Sequence, residues 1–238
     1  AVSTQSFIEA VPTMTTPPQE LSESLKTALR GKFLVFDGPD GSGKSTQLAM
    51  FLKAVRSAGI EVTEVREPGG TEVGEKIRDA LLDHLDRETM SLRCEMLLYM
   101  ASRAQLCEQV IAPALKQGKL VIADRFVSST YAYQGTAGGI PIAEIDAAAK
   151  IAMQGTYPDA TLIFDVDQDT AASRLNPLLD RMEAKGAAFH AKVRQGYQDL
   201  IASDPDQQRY LRVDAAGKPD CVFANILDVL TNRFVENR

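Results

Sequence analysis

The chain has 238 residues, 45% of them hydrophobic, with 26 Lys and Arg against 32 Asp and Glu for a net charge of −6. That size suits one α/β domain with an appendage, and the acidic balance argues against a broad nucleic-acid or anionic-membrane surface. No apolar run approaches the ~18 residues of a membrane span and no basic start leads into an apolar signal region, so a cytoplasmic location is expected.

Residues 1–20 are rich in Ser, Thr, Pro and Gln and include Pro17-Pro18. Residues 1–30 are therefore expected to be a flexible extension, with a short helix over 20–30 leading into a folded domain over 31–238. Phe33-Leu34-Val35-Phe36 is a first buried strand. A helix follows, with Leu48, Phe51, Leu52 and Val55 at i, i+3, i+4, i+7 and Gly59 as its C-cap. Ile60 to Val65 reads as a second strand, closed by the breaker cluster Arg66-Glu67-Pro68-Gly69-Gly70-Thr71. The next helix starts near Thr71, with Val73, Ile77, Ala80 and Leu81 on one face.

Residues 91–117 form a long helical region that Pro113 should kink or divide. Cys94 and Cys107 fall inside it and are expected in the core. With Cys221 they make three cysteines and no Cys-x-x-Cys, so neither a disulfide framework nor a zinc site is suggested. Leu120 to Ala123 is a third buried strand, closed by Asp124-Arg125; a Ser/Thr/Tyr-rich stretch then runs to Gln134, and Gly138-Gly139 makes a turn. Pro141 opens a helix, residues 160–166 form a fourth strand, and an amphipathic helix is expected over about 180–202. A fifth strand at 210–213 and a last helix over 219–234 complete the pattern. Strands alternating with helices predict a doubly wound parallel sheet. Its ligands would lie at the carboxyl ends of the strands.

Gly38-Pro39-Asp40-Gly41-Ser42-Gly43-Lys44-Ser45-Thr46 carries the spacing Gly-x-x-x-x-Gly-Lys-Ser between the first strand and its helix. This is the phosphate-binding loop. Glycines let backbone amides close around phosphate oxygens, Lys44 adds a point charge, and the Ser45 hydroxyl suits Mg²⁺. The helix N-terminus aims its positive end at the same anion. ATP with Mg²⁺ is the expected ligand pair. GTPases would need an Asn-Lys-x-Asp segment, which is absent, and a motor ATPase would be longer. Phosphoryl transfer to a small acceptor fits best.

Five ordered motifs make the chain from about residue 32 onward resemble the thymidylate kinases. They are the phosphate loop ending Lys44-Ser45-Thr46; Arg66 to Thr71; Leu97-Leu98-Tyr99-Met100-Ala101-Ser102-Arg103; Asp124-Arg125-Phe126 through Ser129 to Gly135; and Asp180-Arg181-x-Glu183. The resemblance implies an α/β P-loop kinase fold: a five-stranded parallel sheet flanked by helices, with a short lid at about 174–186. It also implies phosphorylation of dTMP by ATP and a homodimer. Asp40 would stand at the sugar 3′-hydroxyl and acceptor phosphate, Tyr99 would stack on thymine, and Arg103 would bond its carbonyl edge. Asp124 would reach Mg²⁺, and Arg125 would grip the acceptor phosphate. Thr130 and Gln134 would lie near the base, and Tyr133 would pack on a sugar without a 2′-hydroxyl. Arg66 and Thr71 would help hold the acceptor phosphate, and Pro68 would follow a cis peptide.

Members of that family carry a catalytic arginine either in the phosphate loop or in the lid. Gly41 holds the loop position here, so Arg174 and Arg181 become the catalytic candidates. His84 and His190 are expected at the surface. A nucleoside or nucleotide kinase of different base choice, and a nucleotide-binding regulator without turnover, stay open as alternatives.

Overall fold

The computed structural model describes residues 20–83, 89–174, 182 and 185–236. Five short strands carry the fold: β1 (Phe33–Asp37), β2 (Val62–Arg66), β3 (Leu120–Asp124), β4 (Ala160–Asp165) and β5 (Tyr210–Asp214). All pair in parallel, in the order β2-β3-β1-β4-β5. β1 lies in the middle and all five of its residues are buried, as suits a parallel strand covered on both faces. Side chains alternate along it. Leu34 and Phe36 enter a core with Phe51 and Val55 of α2 (Lys44–Ser57) and Ile226 of α10 (Pro219–Thr231). Phe33 and Val35 enter a second core with Met100 of α4 (Leu92–Leu106) and Ile145 of α7 (Ile142–Met153).

The expected α/β architecture is therefore present, with five corrections. Residues 20–30 hold the expected short helix, but it is packed on the domain and is not a flexible extension. Ser22 caps α1 (Glu23–Leu29), accepting from the Leu25 amide, and Leu25 and Leu29 are buried in the first core. Residues 1–19 lie outside the described residues. β2 begins at Val62, not Ile60. The Ser/Thr/Tyr-rich stretch is helical: α6 (Val127–Thr130) runs into a π-helical turn, Tyr131–Ala137. On α3 (Glu72–Leu82) the buried face is Gly74 and Leu81, while Val73 is 50% exposed. Cys94 is exposed; only Cys107 joins the core, where burial pushes its thiol up to about 12.

Pro113 divides the long helical region as expected. A π-helical turn, Cys107–Ile111, separates α4 from α5 (Ala112–Lys116), with the Ala112 amide reaching back to Cys107. A proline cannot donate to the preceding turn, and the wider turn accommodates that. α8 (Gln168–Ser173) follows β4, and α9 (Ala187–Ala202) starts later than its amphipathic pattern suggested, after Gly186. Most of the expected lid, including Arg181 and the Asp180-Arg181-x-Glu183 motif, lies outside the described residues, as does His84. Asp165, at the end of β4, ties Arg194 at 3.3 Å to Arg212 at 2.8 Å, a structural ion pair rather than a site. No described helix is long and apolar enough to cross a membrane.

Candidate active site

Parallel strands deliver their carboxyl ends to one side of the sheet. Asp37, Arg66, Asp124 and Asp165, the last residues of β1 to β4, therefore share that edge. Residues 38–43 form the turn from β1 into α2. Gly43 occupies the N-cap of α2 with φ 81°, so no side chain caps the first amides of the helix. Gly41 has φ +77°, and a Cβ built on it would lie 2.2 Å from the Ala171 carbonyl oxygen of α8. An arginine at this position could not coexist with α8 where it lies. Ser42 Oγ is buried with no hydrogen-bond partner among the described residues. A buried hydroxyl without a partner costs free energy, and a phosphate oxygen would satisfy it. Lys44 is buried beside the loop, with Nζ 2.7 Å from Asp124 Oδ1. Ser45 and Thr46 open the helix at an exposed position.

Next to the loop lies a cluster that the sequence only half revealed. Asp37 is fully buried and accepts from the Gly38 amide at 2.9 Å, Ser128 Oγ at 2.5 Å, Ser129 Oγ at 2.8 Å and Tyr197 Oη at 2.7 Å. Arg125 Nη1 stands 3.4 Å from the same carboxylate and donates to the Gly38 carbonyl at 3.0 Å. Its Nη2 is bonded to Asp40, which also accepts from Tyr133 Oη at 2.7 Å. Burial would raise the Asp40 carboxyl, but Arg125, the Tyr133 hydroxyl and Lys44 hold it below its ordinary value. Burial likewise opposes the Arg125 charge, yet Tyr133, Asp40, Tyr197 and Asp37 keep it firmly protonated. Arg125 has φ 66°, a left-handed conformation that non-glycine residues adopt at a cost. From that turn the side chain reaches Asp37, the Gly38 carbonyl, Ser129, Tyr197 and Asp40.

A cavity of about 200 Å³ opens from this cluster. Asp40, Arg125, Tyr133, Thr130, Gln134, Tyr99, Pro68, Arg66 and Asp124 line it, so most of the expected acceptor residues converge. The Glu67–Pro68 peptide is cis. Two of the expected residues are placed differently. Thr71 is the N-cap of α3, accepting from the Gly74 amide at 2.9 Å, and is not part of the cavity wall. Arg103 is 1% exposed and stands behind the wall. Its Nε lies 3.1 and 3.0 Å from the two Glu67 oxygens, and its Nη2 reaches Glu67 at 2.5 Å and Thr130 Oγ1 at 3.2 Å. Burial pushes the Glu67 carboxyl up to about 7 against the pull of Arg103. Arg66 lines the cavity while paired to Glu75 at 2.7 Å.

Arg174 leaves α8 toward the other side of the phosphate loop. Its Nη1 and Nη2 donate to the carbonyls of Ala215 and Ala216, at 3.0 and 3.4 Å. Nη1 also lies 3.6 Å from where a Gly43 Cβ would be. His190 is not a plain surface residue: it is half-buried on α9, with its ring against that of Phe189.

Sequence reading missed Asp37, Ser128, Ser129 and Tyr197, which build the floor under Arg125, and Glu67, Arg78 and Glu95, which support the cavity wall. Arg78 lines the cavity and donates to the Pro68 carbonyl at 2.8 Å. Asp37 ends a fully apolar strand, where an acid is out of place unless something binds it; that signal was available. Tyr197 gave none, because a tyrosine on a helix looks the same whether it faces core or site.

The family model described as "Thymidylate kinase" matches residues 36–226. Among curated relatives, thymidylate kinase of Exiguobacterium sp. is 41% identical over 207 residues, 86% of this chain and 96% of its own length. That of Pseudomonas fluorescens is 42% identical over 210 residues, 87% of this chain and 98% of its own. Among solved structures, thymidylate kinase from Ehrlichia chaffeensis is 31% identical, with a TM-score of 0.66 over 85% of this chain and 99% of that one.

Proposed function

This chain belongs to the thymidylate kinase family, and we propose that it transfers the γ-phosphoryl group of ATP to dTMP, giving dTDP and ADP in nucleotide biosynthesis. One observation carries the site-level reading. Arg125 and Asp40 join the phosphate loop directly to the mouth of a cavity lined by Tyr99, Thr130, Tyr133 and Gln134. A donor nucleotide on the loop and an acceptor in the cavity would meet with their phosphates end to end.

The residues divide the work by chemistry. Loop amides and Lys44 hold the donor phosphates, and the unpartnered Ser42 hydroxyl has an oxygen to donate to. Arg125 offers a guanidinium fork to the acceptor phosphate, a geometry that suits two oxygens at once. Asp40 sits within reach of the same acceptor and, held ionised by Arg125, can accept from its sugar hydroxyl. Tyr99 supplies a face for the base, and Tyr133 walls off the sugar. Ser45 and Asp124 are the oxygen donors that would hold Mg²⁺, which binds through one or two protein oxygens plus substrate phosphates. When bound, Mg²⁺ neutralises charge on the phosphate oxygens. Catalysis is then positioning plus electrostatics, with no covalent intermediate. Arg174, on the far side of the loop, is the described candidate for compensating charge on the donor nucleotide.

A panel of dTMP, dUMP, UMP, CMP and thymidine with ATP tests the reading. dTMP is expected to give the highest kcat/KM, and any other acceptor in first place overturns the assignment.

A homodimer is part of the proposal. Leu97 is 57% exposed and Val73 50%, on neighbouring helices α4 and α3, and Ala101 lies one turn beyond Leu97 on the same exposed face. Apolar side chains grouped on one outer face mark an interface. Sedimentation should give a dimer that Leu97→Glu dissociates; a monomeric parent chain refutes this.

A further inference from the structure

Gln134 comes from the π-helical turn that follows α6, lines the cavity, and is 1% exposed. Its Nε2 donates to Oε1 of Glu95 at 2.9 Å. Glu95, on α4, is itself 1% exposed, and Lys185 Nζ lies 3.1 Å from each of its oxygens. A carboxylate facing an ammonium accepts and does not donate. It therefore fixes which end of the Gln134 amide turns toward it. The NH₂ group faces Glu95, and the carbonyl Oε1 is left for whatever enters the cavity. Among the described residues nothing donates to that oxygen.

An acceptor fixed at this point distinguishes pyrimidines. Thymine and uracil carry an N3–H, a donor flanked by two carbonyls. Cytosine carries a bare N3, itself an acceptor. Two facing acceptors leave a buried polar pair unsatisfied, and a site built to receive a hydrogen bond discriminates strongly against a partner that cannot give one. An asparagine or glutamine amide free to rotate would accept both, by presenting either end. The restraint is thus in Glu95, not in Gln134 alone.

We propose that Glu95 is a specificity-positioning residue: by holding the NH₂ end of the Gln134 amide, it presents Oε1 to the N3–H of thymine or uracil and denies cytosine a hydrogen bond. This rests on the reading of the cavity as the site of the acceptor base. Lys185 keeps a cation opposite the carboxylate but does not touch the amide, so replacing one cation by another should leave the selection in place.

Calorimetric dissociation constants for dTMP and dCMP on the full chain test this without needing turnover. In Glu95→Gln the neighbouring side chain can donate as well as accept, so the Gln134 amide is free to turn over. The dTMP-over-dCMP affinity ratio is expected to fall by about 10-fold or more, while ATP affinity holds. Lys185→Arg, which keeps a cation opposite Glu95, should keep the ratio of the parent. An unchanged ratio in Glu95→Gln overturns the proposal, and so does an equal loss in Lys185→Arg, which would make the particular ion-pair geometry responsible. If Glu95→Gln fails to fold, Glu95→Asp draws the carboxylate back by one methylene, keeps its charge opposite Lys185, and should show the same loss; a retained ratio there overturns it equally. Gln134→Leu separates the two levels. A dTMP affinity unaffected by Gln134→Leu means that the base does not lie at Gln134 and the reading of the cavity falls too. A weakened one, with Glu95→Gln still selective, removes only the role of Glu95.

Discussion

Arg103→Ala is expected to weaken dTMP binding and the fold together. The guanidinium is enclosed with Glu67, and both side chains are almost wholly removed from solvent, at 1% and 3% exposure. Deleting one member of such a pair leaves a buried carboxylate without a counter-charge, a loss of about 3–5 kcal/mol. For a chain of this length that lowers Tm by roughly 10 °C. Glu67 would then take up a proton more readily still, since burial already pushes it up to about 7 with Arg103 present. The Arg103 contact also steadies Thr130 and the turn carrying Pro68, both on the cavity wall. The KM for dTMP should therefore rise by about 10-fold or more while that for ATP stays near the parent value. Thermal melting and steady-state kinetics check both halves. Replacing the pair jointly, with Arg103→Leu and Glu67→Met, should recover much of the lost stability, because an apolar pair carries no desolvation penalty. Equal KM changes for the two substrates would mean that Arg103 acts on the whole molecule rather than on the acceptor wall.

Lys44→Ala has the opposite profile. Lys44 lies against Asp124, whose side chain is 30% exposed, so water can replace the lost ammonium. Stability should change little. Turnover should fall by about 10²–10³-fold or more, the usual consequence of removing a preorganised charge from the transferring group. A coupled assay for ADP together with a melting curve separates the two quantities. Near-normal turnover would remove the phosphate loop from the mechanism.

What was readable in the sequence follows from how local the governing physics is. β1, β3 and β4 are short apolar runs closed by an acid, and a buried parallel strand has few other ways to look. The phosphate loop was legible because glycine spacing and a following helix are consecutive in the chain. Thr71 belongs both to the breaker cluster and to the start of α3, and its hydroxyl caps that helix. The segment from Val127 to Ala137 was not recognised as helical. Its β-branched, aromatic and glycine residues have poor helix propensity, and tertiary contacts with α9 override it. Arg103 could be placed on the same helical face as Tyr99, but not behind a wall, because Glu67 is contributed by a distant turn. Cys94 and Val73 follow the helical period and still point outward, since periodicity marks an apolar face without saying whether a core or another protein covers it.

The position of β1 in the sheet bears on how the chain comes to be made. Phe33 pairs with Val121 and Leu34 with Ala160, so the strand bearing the phosphate loop waits for partners synthesised long after it. Parallel pairing across such separations is slow, since loop closure precedes any reward from contact. A nascent chain carrying the complete nucleotide motif would thus be unable to bind nucleotide until β4 has left the ribosome. Nucleotide capture would then report completed assembly, and ligand at 100 times its Kd would secure the finished fold by about 2.7 kcal/mol.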